Sequence, residues 1–375
     1  MHEAQTALGF MRTPSEDDPR RDPELLAALR RIAPGTDLRQ GMDDIIRSRG
    51  GALIVIGDPN ELSFLFSGGI RLDVPFTGQL LYELAKMDGA IIVNPARSKL
   101  AYANVQLMPD PTIPSVETGT RHRTAERVAK QTGALVISIS QQRSTISVYV
   151  GPTRYQLDAV PEVLAKTNQA LATLETYGQR LQQVLTRLTA LEFQNAVMLD
   201  DVLVVLQRAE MTSRMAERIT RDWTELGSEG RLIRLQLEEL IGDVPAERDA
   251  IVRDYHVLGP GEEATVALAE LAALSYQDLL EFGRLAEVLG YDRGVNPLDL
   301  SVAPRGVRIL SHIPRLPDPL VLRVVAGLGS LDSVVRASQR ELESVEGVGT
   351  VRAREIREGL RRLQEHNLVD RYLQL

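Results

Sequence analysis

The hydrophobic pattern of this 375-residue chain loses its strand-like runs near residue 159, and that change limits the fold more than any other feature. Before it, short runs rich in Val, Ile and Ala at 52–56, 90–93 and 134–139 alternate with amphipathic stretches at 77–87 and 119–131. Strand, helix, strand, helix, strand is the order of a layered α/β domain. Two of the runs stop at Gly57-Asp58 and Asn94-Pro95, residues that turn a chain. The stretches 145–150 and 153–157 flank Gly151-Pro152 as a closing hairpin, so the sheet is expected to be mixed, with helices flanking it.

Beyond residue 159 the strand signal ends. Leu171, Leu174, Leu181, Leu185 and Leu188 recur at threes, fours and sevens, the apolar stripe of a helix over 161–193. Further helices are expected at 196–221, 228–241, 246–256, 264–273 and 276–289, packed as an all-α domain. A coiled-coil contact between subunits is the sharper alternative, but the heptads are few. Gly290, Gly294, Pro297 and Pro304 mark a linker before the last segment. At the other end residues 1–22 read as a loose tail, and helices follow at 24–32 and 36–48, the first opened by Pro23 behind a capping Asp22. The expected plan is therefore a tail at 1–22, an α/β domain at 23–158, a helical domain at 159–304 and a small C-terminal domain at 305–375.

Composition excludes several classes. Apolar and charged fractions of 43% and 25% are those of a soluble globular protein, and aromatics at 4% leave Leu, Val, Ile and Ala to build the cores. No apolar run approaches the roughly 18 residues of a membrane span, and residues 1–34 are charged and proline-rich without a signal-peptide pattern. Zero cysteines rule out a disulfide framework and a thiolate metal site. A cytoplasmic protein that engages no membrane is the expectation. The net charge of −8 argues against a chain basic throughout, yet residues 305–375 carry twelve Arg against nine Asp and Glu, a local balance of +3 that hints at nucleic acid. The five histidines are scattered without zinc-site spacing, and Walker A, GxGxxG and Gly-x-Ser-x-Gly motifs are missing. Ser67-Gly68-Gly69 reads as a turn.

Three motifs can carry chemistry. Asp88-Gly89-Ala90 joins an expected helix to an expected strand. Asp-Gly alone is a turn signal; functionally it offers a carboxylate, able to hold a divalent metal or take a hydroxyl proton, beside a residue that lets a ligand approach the backbone. Gly119-Thr120-Arg121-His122-Arg123-Thr124 opens a helix, where free N–H groups and the dipole favour an anion. Two arginines, a histidine and two hydroxyls add charge-assisted donors suited to phosphate. Cations at a helix start oppose the dipole, which argues for an anion there over a solvated basic turn. Third, Glu346-Gly347-Val348-Gly349 lies between expected helices at 338–345 and 351–363, a helix-hairpin-helix pattern whose glycines let the turn approach a phosphodiester. Gly347, Gly349 and Arg352 are the candidate DNA contacts, with Arg354, Arg357, Arg361 and Arg362 on the same helix; a weaker copy spans 324–335 around Gly327-Leu328-Gly329.

At these residues the chain resembles the DNA integrity scanning family of diadenylate cyclases. The resemblance rests on Lys86-Met87-Asp88-Gly89-Ala90, Asn104-Val105-Gln106-Leu107 and the stretch from Gly119 to Arg127, in the family's order and approximate spacing, and on the three-part plan. It implies an N-terminal cyclase domain, a helical middle and a C-terminal helix-hairpin-helix domain. It implies two cyclase domains face to face, each with one ATP and Mg2+ or Mn2+, joining two ATP into cyclic di-AMP with loss of two pyrophosphates. Carried onto this sequence, Asp88 positions metal and activates the hydroxyl, and Gly89 packs against the nucleotide. Leu107 contacts adenine, Thr120, Arg121, His122, Arg123 and Thr124 hold the triphosphate, and Ser140 neighbours it. The resemblance further implies a homo-oligomer, an octamer in the family, and regulation by DNA, branched or recombination intermediates, through the C-terminal domain. Two readings compete: a non-catalytic nucleotide-sensing DNA-binding or repair scaffold, which would not need the Asp88 carboxylate, and another nucleotidyltransferase, which would ordinarily carry two or three neighbouring metal-binding carboxylates.

Overall fold

The computed structural model describes residues 18–373. Residues 1–17, most of the stretch read as a tail, lie outside the described residues. The chain divides into two compact units, one made of Asp17–Gln169 with Ile219–Leu235, the other of Ala170–Arg218 with Gln236–Leu375.

The first unit is built on a sheet. Asp22 accepts the Glu24 N–H at 2.9 Å and starts α1 (Pro23–Arg31); Thr36 caps α2 (Asp37–Arg47) through the Arg39 N–H at 3.2 Å. A proline at the first helical position is harmless because its N–H would lack a partner anyway. There follow β1 (Ala52–Ile56), α3 (Pro59–Leu62), β2 (Phe66–Ser67), β3 (Ile70–Pro75), α4 (Gly78–Leu84), β4 (Ala90–Asn94), β5 (Lys99–Leu107), α5 (Thr120–Thr132), β6 (Leu135–Ser140), β7 (Thr145–Val150) and β8 (Thr153–Gln156). Spatial order is β2-β5-β4-β1-β6-β7-β8, with β3 also on β5. β1 and β4 run parallel while β1–β6, β4–β5, β6–β7 and β7–β8 are antiparallel, the mixed sheet expected.

Both faces are covered, so the central strands are continuously apolar instead of alternating. Ala52, Ile54 and Ile56 face a core shared with α1, α2 and α4, while Leu53 and Val55 face one shared with α3 and α5. Ser67-Gly68-Gly69 is the turn from β2 to β3, with both glycines at positive φ. One expectation is corrected: Asp18–Asp22 is not loose. Pro19–Arg21 form a 3-10 turn, and Arg20 pairs with Asp222 at 2.5 Å.

The rest is helical: α6 (Val160–Phe193), α7 (Leu199–Leu226), α8 (Arg231–Ile241), α9 (Val244–Tyr255), α10 (Glu262–Ala273), α11 (Phe282–Val288), α12 (Val307–Ser311), α13 (Asp318–Leu328), α14 (Leu331–Arg336), α15 (Gln339–Glu343) and α16 (Thr350–Leu373). Within the second unit one core gathers Leu181, Leu188, Leu203, Leu206, Tyr255 and Leu285, and a separate one gathers Leu310, Val324, Leu342 and Ile356. The single helix expected at 276–289 is broken. Asp278 accepts the Ser275 N–H and hydroxyl at 3.1 and 2.6 Å, and Glu281 is extended, so α11 starts only at Phe282. Short polar side chains compete with the helix for backbone groups, and here they win. The last helix, expected to end at 363, continues to Leu373.

Candidate functional site

Asp88-Gly89 forms the turn into β4. Gly89 has φ +94°, and a Cβ there would lie 2.8 Å from the Asn104 carbonyl carbon and 3.0 Å from the Val105 nitrogen. Positive φ and contact with the β5 backbone both demand glycine. Asn104 is itself left-handed at φ 53°, and the β4–β5 register slips between Ala90 and Ile92. Asp88 beside it is exposed. Its carboxylate makes no hydrogen bond or ion pair with the described residues.

Sheet register then brings the second motif to the same edge. Leu53 pairs with Ala90 and Ala52 with Ile139, so the amino ends of β1 and β4 and the carboxyl end of β6 lie together. At that edge Arg121 Nη1 donates to the Ile139 carbonyl at 3.2 Å. A Cβ on Gly51 would collide with the same Nη1, so the missing side chain at the start of β1 makes room for the arginine. Ser140 ends β6 and accepts the Arg143 N–H at 3.3 Å. Leu107 is buried at the end of β5, paired with Phe66 in the core that α5 covers.

Gly119 is the N-cap of α5 and supplies no side-chain cap. Thr120 is exposed and Thr124 half-buried. Arg123 donates to the Glu117 and Thr118 carbonyls at 3.4 and 3.3 Å. His122 Nδ1 lies 3.0 Å from the Tyr149 hydroxyl, which donates to Glu117 Oε1 at 2.9 Å; Arg154 Nε sits 2.7 Å from the same oxygen. Burial lowers the His122 pKa below its ordinary value, Glu117 opposes that, and Arg154, Arg121 and Arg143 add to it. Burial and the Glu117 carboxylate push the Tyr149 hydroxyl up, so it keeps its proton. These contacts revise the dipole argument. The two arginines at the helix start already hold carbonyls and the His122 ring holds a carboxylate-anchored hydroxyl, so these groups do not by themselves require an external anion.

The rest of α5 holds the loop that leads into it. Glu126 accepts the Ser115 hydroxyl at 2.5 Å and the Val116 N–H at 3.1 Å; Arg127 donates to the Ile113 carbonyl at 2.9 Å, and Lys130 to the Pro114 carbonyl at 3.0 Å. Burial alone would raise the Glu126 carboxyl, but Lys130 and Ser115 outweigh it and hold it below its ordinary range. The sequence reading assigns nothing to Glu117, Tyr149, Arg154 or Gly51. A carboxylate three residues before a helix start is a signal that could have singled out Glu117. Tyr149 is indistinguishable from core in a β-rich run, and Gly51 reads only as the end of α2. No group of three His, Asp or Glu side chains arranged to hold a metal occurs among the described residues.

At the C-terminal motif, Gly347 has φ +85° in the turn between α15 and α16, and the Arg323 guanidinium from α13 lies 3.0 Å from where its Cβ would be. Arg352 Nη1 donates to the Gly347 carbonyl at 2.8 Å, bracing the turn, while nothing stands within 4 Å of a Cβ on Gly349. The sequence reading does not include Arg323. Gly329, also at positive φ, forms the earlier turn, with Ser330 capping α14.

Known proteins match this sequence. The DisA bacterial checkpoint controller nucleotide-binding family matches residues 39–153, and the DisA bacterial checkpoint controller linker region matches 157–298. The DNA integrity scanning protein DisA of Carboxydothermus hydrogenoformans is 50% identical over 345 residues, 92% of this chain and 98% of that protein. The protein of the same name from Acetivibrio thermocellus is 46% identical over 353 residues, 94% and 98% of the two chains. Among solved structures, a double mutant of DacA from Staphylococcus aureus aligns at 24% identity over 37% of this chain and 90% of that chain, with a TM-score of 0.27, too low to bear on the fold. The chain belongs to the DNA integrity scanning protein DisA family. Asp88, Gly89, Leu107 and the whole first turn of α5 fall inside the nucleotide-binding match. No helix among the described residues is long and apolar enough to cross a membrane.

Proposed function

We propose that this chain is a diadenylate cyclase, a nucleotidyltransferase that joins two ATP into cyclic di-AMP and releases two pyrophosphates. The observation that carries the reading is the shared sheet edge, where an unpartnered carboxylate at Asp88, before β4, and the α5 start, held to the end of β6 through Arg121, flank the amino end of β1. Thr120, Arg121, His122, Arg123 and Thr124 hold the triphosphate with the N–H groups of the first turn, and Leu107 offers apolar surface to adenine. One domain supplies one half-site, so two copies face each other within a homo-oligomer, and an isolated chain is inactive. Each 3′ oxygen bonds to the α-phosphorus of the opposite ATP, the bond from that phosphorus to the bridging oxygen breaks, and the hydroxyl proton passes to Asp88 and on to water. Asp88, a lone hard oxygen donor, would hold Mg2+ or Mn2+ if phosphate oxygens completed the shell, and such an ion would supply charge to offset that on the leaving pyrophosphate. Mass analysis of the products formed from ATP with Mg2+ or Mn2+ tests the reading, and a chain that yields no cyclic di-AMP with either metal overturns it.

Residues 305–375 we assign as a helix-hairpin-helix domain that binds the backbone of branched DNA and adjusts synthesis. Gly347 and Gly349 give a phosphate access to the turn, and Arg352 with Arg323 supplies charge beside it. In the full chain, Arg323→Ala should weaken binding to a branched duplex and lower the slope of log affinity against log salt by about one. An unchanged slope would remove Arg323 from the interface.

A further inference from the structure

We propose that Glu117 and Tyr149 are positioning residues that fix His122 with its Nδ1–H on the Tyr149 hydroxyl, so that Nε2 alone meets a phosphate oxygen and takes up a proton when a nucleoside triphosphate binds. The inference rests on the reading of the α5 start as a triphosphate site and adds a proton to it.

The tautomer follows from counting hydrogens. Glu117 Oε1 is ion-paired with Arg154 Nε at 2.7 Å and accepts the Tyr149 hydroxyl at 2.9 Å. A phenol has one hydrogen, and that hydrogen is committed to the carboxylate. At 3.0 Å from His122 Nδ1 the same oxygen can therefore only accept, which places a hydrogen on Nδ1. The phenol cannot rotate away, because Tyr149 is 1% exposed, with its ring in the core between the sheet and α5. In the neutral ring Nε2 then carries a bare lone pair, which repels a phosphate oxygen. Only the doubly protonated ring donates from Nε2 while keeping its bond to Tyr149.

The charges around the ring set when that happens. Arg121 on α5, Arg143 in the β6–β7 turn and Arg154 on β8 disfavour a charged imidazole, and burial does so most; Glu117 is the opposing carboxylate. The unliganded ring is thus held neutral near pH 7. A triphosphate brings several negative charges to the same turn and reverses the balance. The relay makes His122 a donor that charges on demand, and it leaves the ring no neutral tautomer with which to donate from Nε2.

Calorimetry with a non-hydrolysable α,β-methylene analogue of ATP and Mg2+, at pH 8 in buffers of different ionisation enthalpy, tests this without turnover. The wild-type chain should take up about one proton per site. Tyr149→Phe keeps the ring in the core and frees His122 to donate from Nε2 while neutral, so uptake should fall to near zero while binding weakens by roughly tenfold or less. In turnover, Glu117→Gln should raise KM more than it lowers kcat and move the high-pH limb of kcat/KM down by about one on the pH scale, and Arg154→Gln should move it up. A role in folding alone would lower the amplitude and leave both limbs in place. Wild-type binding without proton uptake, or unchanged uptake in Tyr149→Phe, overturns the relay even if cyclic di-AMP is made. Proton uptake in a chain that makes no cyclic di-AMP overturns the assigned reaction and keeps the relay.

Discussion

Two regions of the molecule concentrate charge, and they treat it in opposite ways. In the helical unit, Arg308 is buried and reaches Glu192, Glu247 and Thr189, while Tyr255 donates to Glu192 at 2.8 Å. Asp254, fully buried, accepts the N–H groups of Gly306, Val307 and Arg308 at 2.7, 2.6 and 2.9 Å and so caps α12. Burial and the neighbouring Glu192 raise its pKa to about 7. At the sheet edge of the α/β unit the ions are only half supported. Arg121 and Arg123 hold single carbonyls or a pair of them, Asp88 holds nothing, and Thr120 is exposed. A closed network of buried charge fixes two elements to each other, since breaking it strands an ion in low dielectric. An open one keeps capacity in hand for something that arrives later. The contrast separates structural from functional charge better than the number of ions does, for both regions are rich in them.

That contrast can be broken by mutation, and the largest expected effect lies at the open site. Asp88→Asn should cut cyclic di-AMP formation by about a thousandfold, roughly 4 kcal/mol of barrier, with an unchanged urea midpoint. Undiminished turnover would remove Asp88 from the mechanism. The closed network should behave inversely. Arg308→Ala should cost at least about 3 kcal/mol of stability in urea denaturation, because Glu192 is left buried and unpaired. A loss below about 1 kcal/mol would mean that the network is no tighter than a surface pair. Gly51→Ala should displace the Arg121 guanidinium, require the Ile139 carbonyl, 3.1 Å from the methyl, to give by a few tenths of an ångström, and raise KM for ATP by roughly tenfold; an unchanged KM in a folded variant would detach Arg121 from the nucleotide.

The smallest effect depends on pH. His312 Nε2 lies 2.5 Å from Glu247, whose hydrogen bond raises the histidine above its ordinary value. A raised folded pKa stabilises fully below the unfolded value near about 6.5 and loses that contribution as pH climbs through the folded value. The stability gap between the wild type and His312→Gln should therefore be widest below the unfolded value and close as pH climbs through the raised folded value. With the side chain 42% exposed, screening keeps it under about 1 kcal/mol. A gap that widens toward high pH would contradict the pairing.

Much of this was legible in the sequence where a local rule has no competitor. The apolar runs of β1, β4 and β6 and the cap at Asp22 specify their elements because nothing else satisfies them. The break at Ser275–Glu281 was hidden, since one side-chain cap overrode an unbroken apolar period. At the site, residues inside the short motifs were readable and their supports were not. Glu117, Tyr149 and Arg154 come from a loop and two strands, and only the tertiary fold makes them neighbours. The glycine at 89 was readable as special, but not for its contact with the β5 backbone, because a single sequence does not reveal which strand lies beside a turn.

Helix α5 carries Arg121, His122 and Arg123 in its first turn and its loop contacts at 126, 127 and 130, so the two sets sit one to two turns apart on the same rod. Each residue of an α-helix advances the side-chain direction by about 100°. Adding or deleting one residue between Thr124 and Glu126 would swing the loop contacts a quarter-turn away from the cations and uncouple the halves. The stretch 108–118 is joined to the helix at discrete points, with slack between them. Tolerance to insertion should therefore be graded along residues 108–132: high in the loop, nil in the helix that grips it.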